Sequence, residues 1–265
     1  MSAVFFLFLL HASLGLMATL PFVPERAGAR YFKFCSAAAA FMTTSALWLL
    51  VRRHGFSGAP QAPAGEHYPA LVAAASAFLA AVVLYNRARH FGWTRALTPL
   101  LASALVTGVA AVVAGASAPR VLVAATDLSS ALLLGAAAAA MILGHWYLVV
   151  LDLPITALRR LTLLLVVGLG VRAVMVALAL VVGDAGAFRD LSAVARGLWS
   201  PDGVFVWMRL LFGLLGPLSL LWFIWKTVEI RSTQSATGIL YVQLFLVLSG
   251  ELLAKYLRVA AGFVL

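Results

Sequence analysis

Residues 121–151 read VLVAATDLSSALLLGAAAAAMILGHWYLVVL, and only Asp127 and His145 interrupt them with an ionisable side chain. An apolar run of about 18 residues or more with so few charges reads as a membrane-spanning helix. At 1.5 Å per residue this one would reach about 45 Å, enough for the hydrocarbon layer and both headgroup regions. Its centre is almost entirely small, from Gly135 through Ala136–Ala140 to Gly144. Small residues let helix backbones approach closely in lipid, which places this helix inside a bundle. An ionisable side chain kept in such a helix marks a candidate functional site.

The rest of the chain has the same character. Of 265 residues, 64% are hydrophobic and 11% charged, and the mean hydropathy is +1.04. That composition excludes a soluble globular domain and indicates an all-α, polytopic bundle forming one transmembrane domain over residues 1–265. Eight apolar segments are expected, at 2–20, 34–51, 69–86, 98–118, 121–151, 160–182, 204–225 and 238–263. The first lacks a Lys or Arg before its apolar run and an A-x-A cleavage site, so it reads as a helix rather than a signal peptide.

The net charge of +10 sits in short connections between apolar runs, where membrane topology requires it, and does not indicate a nucleic-acid partner. With the N-terminus outside, the inner connections hold Arg26, Arg30, Lys33, Arg87, Arg89, Arg95, Arg159, Arg160, Lys226 and Arg231. The outer ones hold Arg52, Arg53, Arg120, Arg189 and Arg196. Ten against five predicts both termini outside, in a bacterial inner membrane. Reporter fusions after Arg95 and after Arg196 are expected to report opposite sides, and agreement between them would overturn this topology. The stretch FRDLSAVARGLW, residues 188–199, has the spacing of a short helix lying on the membrane surface. Residues 232–238, STQSATG, offer hydroxyls and Gln234 to cap the last helix or touch a partner. Trp48, Trp146, Trp199, Trp222 and Trp225 fall near expected membrane ends, as an interfacial aromatic belt would.

The polar side chains at depth are His11, Asp127, His145, Arg172, Arg209, Glu251, Lys255 and Arg258. Each must face the bundle interior or snorkel to water. His11 lies ten residues before Pro21 and His145 nine before Pro154, which suggests matching depth on two helices. Such a pair would ligate one haem b iron, flank one quinone, or be two unrelated histidines bonded to backbone carbonyls. No firm metal site is otherwise expected. Glu251 and Lys255 stand four apart with the acid first, the favourable order on a helix, and Arg258 continues that face. With Arg172, Arg209 and Asp127 they would form either interhelical ion pairs or a polar pocket, opened by a kink at Gly213, Gly216 and Pro217.

Residues 209–217, RLLFGLLGP, and 249–256, SGELLAKY, resemble the membrane anchor subunits of molybdenum-type oxidoreductases (the DMSO reductase, polysulfide reductase and NrfD-type anchors). The resemblance implies eight helices with both termini outside, exchange of electrons and protons with a membrane quinone, and docking of an Fe–S partner subunit. The single Cys35 allows no Cys-ligated cluster within this chain, so clusters would come from redox partner subunits. On this reading Glu251 or His145 exchanges protons with the quinone, while His11, His145, Arg172, Arg209 and Lys255 surround it. The alternatives are a small-anion transporter or channel using Arg172, Arg209 and Lys255, and a bundle that only anchors partners in lipid.

Overall fold

The computed structural model describes residues 1–54, 67–116, 120–150, 153–182 and 203–261, with side chains omitted at 120, 179–182 and 261. The expected surface helix at 188–199 lies outside these residues. Every regular element among them is helical. That follows from the apolar runs, because a backbone in hydrocarbon must satisfy its own N–H and C=O groups. The helices are α1 (Ser2–Thr19), α2 (Gly28–His54), α3 (Tyr68–Phe91), α4 (Thr94–Ala114), α5 (Arg120–Trp146), α6 (Thr156–Val182), α7 (Gly203–Leu210), α8 (Gly216–Glu229) and α9 (Thr233–Ala261). A π-helical turn, Leu211–Leu215, joins α7 to α8, and together they make one span, Gly203–Glu229. Eight spans result, each long and apolar enough to cross a membrane.

Local chemistry sets the ends. Leu20-Pro21-Phe22 and Glu25-Arg26-Ala27 form two short 3₁₀ turns between α1 and α2, and Gly28 enters α2 at a φ of +80°. Gly92 closes α3 in the left-handed conformation and directs its N–H to the Ala88 carbonyl. Only Gly92 and Trp93 separate α3 from α4, so the two pack as a tight antiparallel pair. The expected segments are right to within six residues at either end. The difference that matters is in the fifth, which stops at Trp146 rather than reaching Leu151. Tyr147 turns the chain there: its hydroxyl donates to the Pro154 carbonyl at 2.6 Å and accepts from the Leu158 N–H at 3.3 Å.

α1 and α5 are the two central helices. In each, 67% of the most apolar window is buried, against 22–39% in the other spans. α1 packs on α2, α4, α5 and α9, while α5 packs on α1, α4, α6 and α9. The α1–α5 crossing is a backbone contact between Gly15 and the Ala131–Gly135 turn. A Cβ at Gly15 would lie 1.8 Å from the Ala131 carbonyl oxygen, and one at Gly135 would lie 2.1 Å from the Gly15 carbonyl carbon. α2, α3 and α4 complete one side of the bundle, and α6, α8 and α9 the other. Outward-facing apolar side chains such as Phe41 (74% exposed), Val106 (70%) and Phe245 (66%) face where lipid would be.

Candidate functional site

The polar side chains of α5, α6, α7 and α9 meet in one hydrogen-bonded cluster toward the end of the bundle where α1 begins and α9 ends. Glu251 of α9 is its hub. Arg172 Nε donates to Glu251 Oε1 at 2.8 Å and Arg172 Nη2 to Oε2 at 3.3 Å, a two-pronged contact. Arg209 Nη2 donates to the same Oε1 at 2.9 Å, and Ser130 Oγ donates to Oε2. All four side chains are buried, with Glu251, Arg172, Arg209 and Ser130 each 0% exposed. A planar guanidinium is suited to this fork-to-fork recognition of a carboxylate.

One turn toward the chain ends, Lys255 Nζ donates to Ser130 Oγ at 3.0 Å and to Asp127 Oδ1 at 3.4 Å. It lies 3.9 Å from Glu251 Oε2. Arg258 Nη1 then donates to both Asp127 oxygens, at 2.7 and 2.6 Å. The result is a ladder along α9, Arg258–Asp127–Lys255–Ser130–Glu251–Arg172/Arg209, whose outer rung retains slight exposure at the Arg258 side chain (11%). The helices reach this register because α5 and α9 run antiparallel. Asp127 and Ser130 on one are then met by Lys255 and Glu251 on the other, each pair spaced to share a helix face.

Two close approaches hold the ladder in place. Gly250 precedes Glu251, and a Cβ there would lie 2.1 Å from the Gly213 Cα. A Cβ at Gly213 would lie 1.8 Å from Arg209 Nη1. Gly213 is in the π turn, which precedes Pro217, a residue without an N–H to continue regular helical bonding. Where a kink is expected at Gly213, Gly216 and Pro217 the chain forms the π turn, with α9 packed against it at Gly250 and the Arg209 guanidinium beside Gly213. The two stretches that carry the resemblance to oxidoreductase anchors, 209–217 and 249–256, touch each other here.

Not every polar group is satisfied. Among buried side-chain atoms, Arg209 Nε and Nη1, Thr126 Oγ1, both ring nitrogens of His11 and both amide atoms of Gln243 have no hydrogen-bond partner. His11 is fully buried against the ladder, its Nδ1 3.9 Å from Asp127 Oδ1. Among the described residues four cations, Arg172, Arg209, Lys255 and Arg258, share two carboxylates. The two unpaired Arg209 nitrogens are costly in lipid, since desolvation of a buried charge must be offset by a partner.

The structure separates His145 from this cluster. It lies at the far end of α5, exposed, with Nδ1 3.2 Å from the Tyr241 hydroxyl. Asp127, which His11 adjoins, is 18 residues earlier on the same helix, or about 27 Å along the axis. His11 and His145 therefore neither face each other nor fit one haem iron. The expectation of matching depth fails because α5 ends at Trp146, and residues 147–150 and 153–154 are not helical and do not add depth at a helical rise. The two histidines named as haem ligands do not suit that group, and no group of three or more His, Cys, Asp or Glu among the described residues is placed to hold a metal.

Ser130 and Thr126, whose carbonyl accepts from Arg172 Nη1 at 3.5 Å, are participants that sequence reasoning did not single out, and Gln243 is a further buried polar side chain of α9. Gln243 lies on the same i, i+4 row of α9 as Val247, Glu251 and Lys255, a spacing that could have revealed it.

Beside the ladder, on the lipid-facing side, a groove of about 310 Å³ runs between α1, α7 and α9, lined by Met1, Val4, Phe5, Phe205, Leu252, Leu253 and Tyr256. Phe205 is one turn from Arg209, while Leu252 and Tyr256 directly follow Glu251 and Lys255. No family model, curated protein or solved structure matches this chain.

Proposed function

We propose that this chain is a quinone-interacting membrane subunit of an electron-transfer complex in an energy-coupling membrane such as the bacterial inner membrane. One observation carries the reading: Phe205, which lines an apolar groove, is one helical turn from a buried cation, Arg209, that has two nitrogens without acceptors. A quinone has the matching halves. Its isoprenoid tail suits Phe5, Phe205, Leu252 and Leu253, and its carbonyl oxygens are acceptors for a guanidinium. The likeness of residues 209–217 and 249–256 to oxidoreductase anchors supports the same reading. Electrons would come from Fe–S partner subunits. Protons would enter along the ladder from Arg258 and Asp127, with Glu251 as its inner carboxylate. Because donors occupy both Glu251 oxygens, proton uptake there would require Arg172 or Arg209 to swing aside.

A photoreactive short-chain quinone, added to the purified protein in lipid nanodiscs, tests the proposal. Labelling is expected in peptides spanning Phe205–Arg209 and Leu252–Tyr256, with competition by excess unmodified quinone. Arg209→Gln is expected to weaken binding about tenfold, the loss of a charge-assisted hydrogen bond. Phe205→Ala and Tyr256→Ala, which leave the ion pairs intact, should weaken it with helicity unchanged. Absence of competed labelling in either peptide would end the quinone reading.

A second reading, a small-anion site, draws on the same two Arg209 nitrogens, Nε and Nη1, that have no acceptor. It predicts that nitrate or phosphate, rather than a quinone, raises the thermal unfolding midpoint, and that Phe205→Ala leaves this effect unchanged.

A further inference from the structure

At the opposite end of the bundle, the start of α6 and the end of α8 enclose a cavity of about 190 Å³ lined by Ile155, Arg159, Trp225, Val228, Glu229 and Arg231. The Arg159 guanidinium lies over the Trp225 ring, 5.4 Å from its centroid. Glu229 already accepts from Lys226 at 2.9 Å, which leaves the balance of charge here with Arg159 and Arg231.

Arg231 is placed unusually. α8 ends with the Arg231 N–H directed to the Val228 carbonyl at 3.1 Å and the Ser232 N–H to the Thr227 carbonyl at 2.9 Å. This is a helix-closing motif whose left-handed residue is usually glycine. Here it is Arg231, at a φ of +57°, the only non-glycine residue with positive φ among those described. A side chain raises the energy of that conformation, and this side chain lines the cavity.

We propose that the cavity binds the phosphodiester headgroup of an anionic membrane lipid. Two arginines supply forked donors that fit phosphate oxygens. Ile155, Trp225 and Val228 supply an apolar wall, and Trp222 (60% exposed) and Phe223 (50%) continue α8's lipid-facing surface away from it, a path for acyl chains. A tryptophan at the rim suits the headgroup level of a bilayer. This end of the bundle also carries the larger share of Lys and Arg, where basic pockets between helices meet anionic lipid. A freely dissolved phosphate would gain nothing from the apolar wall.

Native mass spectrometry of the purified full chain, titrated with phosphatidylglycerol or with phosphatidylcholine, tests the site. Phosphatidylglycerol is expected to be retained in preference, and each of Arg159→Gln and Arg231→Gly should reduce that preference about fivefold, the contribution of one basic residue at an anionic surface. Arg231→Gly serves as the folding-safe variant, because it puts the preferred residue at the left-handed position. Inorganic phosphate at millimolar concentration should not displace the lipid. Equal retention of the two lipids, an unchanged preference in Arg231→Gly, or displacement by inorganic phosphate would each overturn the proposal, the last by assigning the cavity to a soluble anion.

Discussion

Glu251→Ala is expected to abolish the folded protein, or to leave it so weakened that little survives detergent extraction. The substitution removes the carboxylate to which Arg172 and Arg209, both fully buried, donate. Removing one partner of a buried ion pair costs about 3–5 kcal/mol because the other charge stays buried without compensation. Glu251→Gln keeps the volume but puts amide hydrogens where a guanidinium or Ser130 now donates, so it should lose most of the same stability. The test is the thermal unfolding midpoint in detergent, with a rescue. Glu251→Gln combined with Arg209→Gln removes one charge of each sign and should recover a substantial part of the loss. If Glu251→Gln instead unfolds like the unaltered protein, the ladder contributes little to stability. If such a stable variant also lost quinone labelling, Glu251 would act on the ligand rather than on the fold.

How much of this was legible in the sequence depends on the kind of residue. A charge in an apolar run must find a partner, so Arg172, Arg209, Lys255 and Asp127 could be expected to gather around Glu251 once helices were assumed. The spacing of Glu251, Lys255 and Arg258 fixed the α9 face that receives them. Ser130 and Thr126 were harder to place. An uncharged polar side chain can satisfy itself on its own helix, so its presence does not betray whether it faces a neighbour. The His11–His145 pairing failed for another reason. Depth was counted from prolines that lie beyond the helix ends, and hydropathy does not distinguish the last turn of α5 from the apolar loop that follows it. The small centre of α5 indicated close packing, but nothing in the pattern named α1 as the helix that crosses it. That pairing emerges only from the packing.

The largest effect on folding is expected from Gly135→Val, with Gly15→Val close behind. At the α1–α5 crossing the two backbones touch without side chains between them, and even one added Cβ at Gly135 would lie 2.1 Å from the Gly15 carbonyl oxygen. Neither atom belongs to a flexible side chain, so the clash can be relieved only by moving whole helices apart. α1 and α5 are the two most buried spans, and separating them would pull His11 from Asp127 and shift Asp127 and Ser130 from Lys255 and Glu251. Small residues at such crossings are the means by which helices gain packing contacts in lipid. Gly135→Ala should already lower the unfolding midpoint, and Gly135→Val should leave little correctly assembled protein by size-exclusion profile. Gly170→Ala is the matched control, because nothing lies within 4 Å of a Cβ at that position of α6. It should be neutral or stabilise by up to about 1 kcal/mol, since alanine favours helix over glycine. A Gly135→Val protein as stable as the Gly170→Ala protein would mean that α1 and α5 do not cross at these glycines. The placement of His11 and Asp127 beside each other would then fall with the crossing, whereas the Arg172–Glu251–Arg209 contacts, built from α6, α7 and α9, would stand.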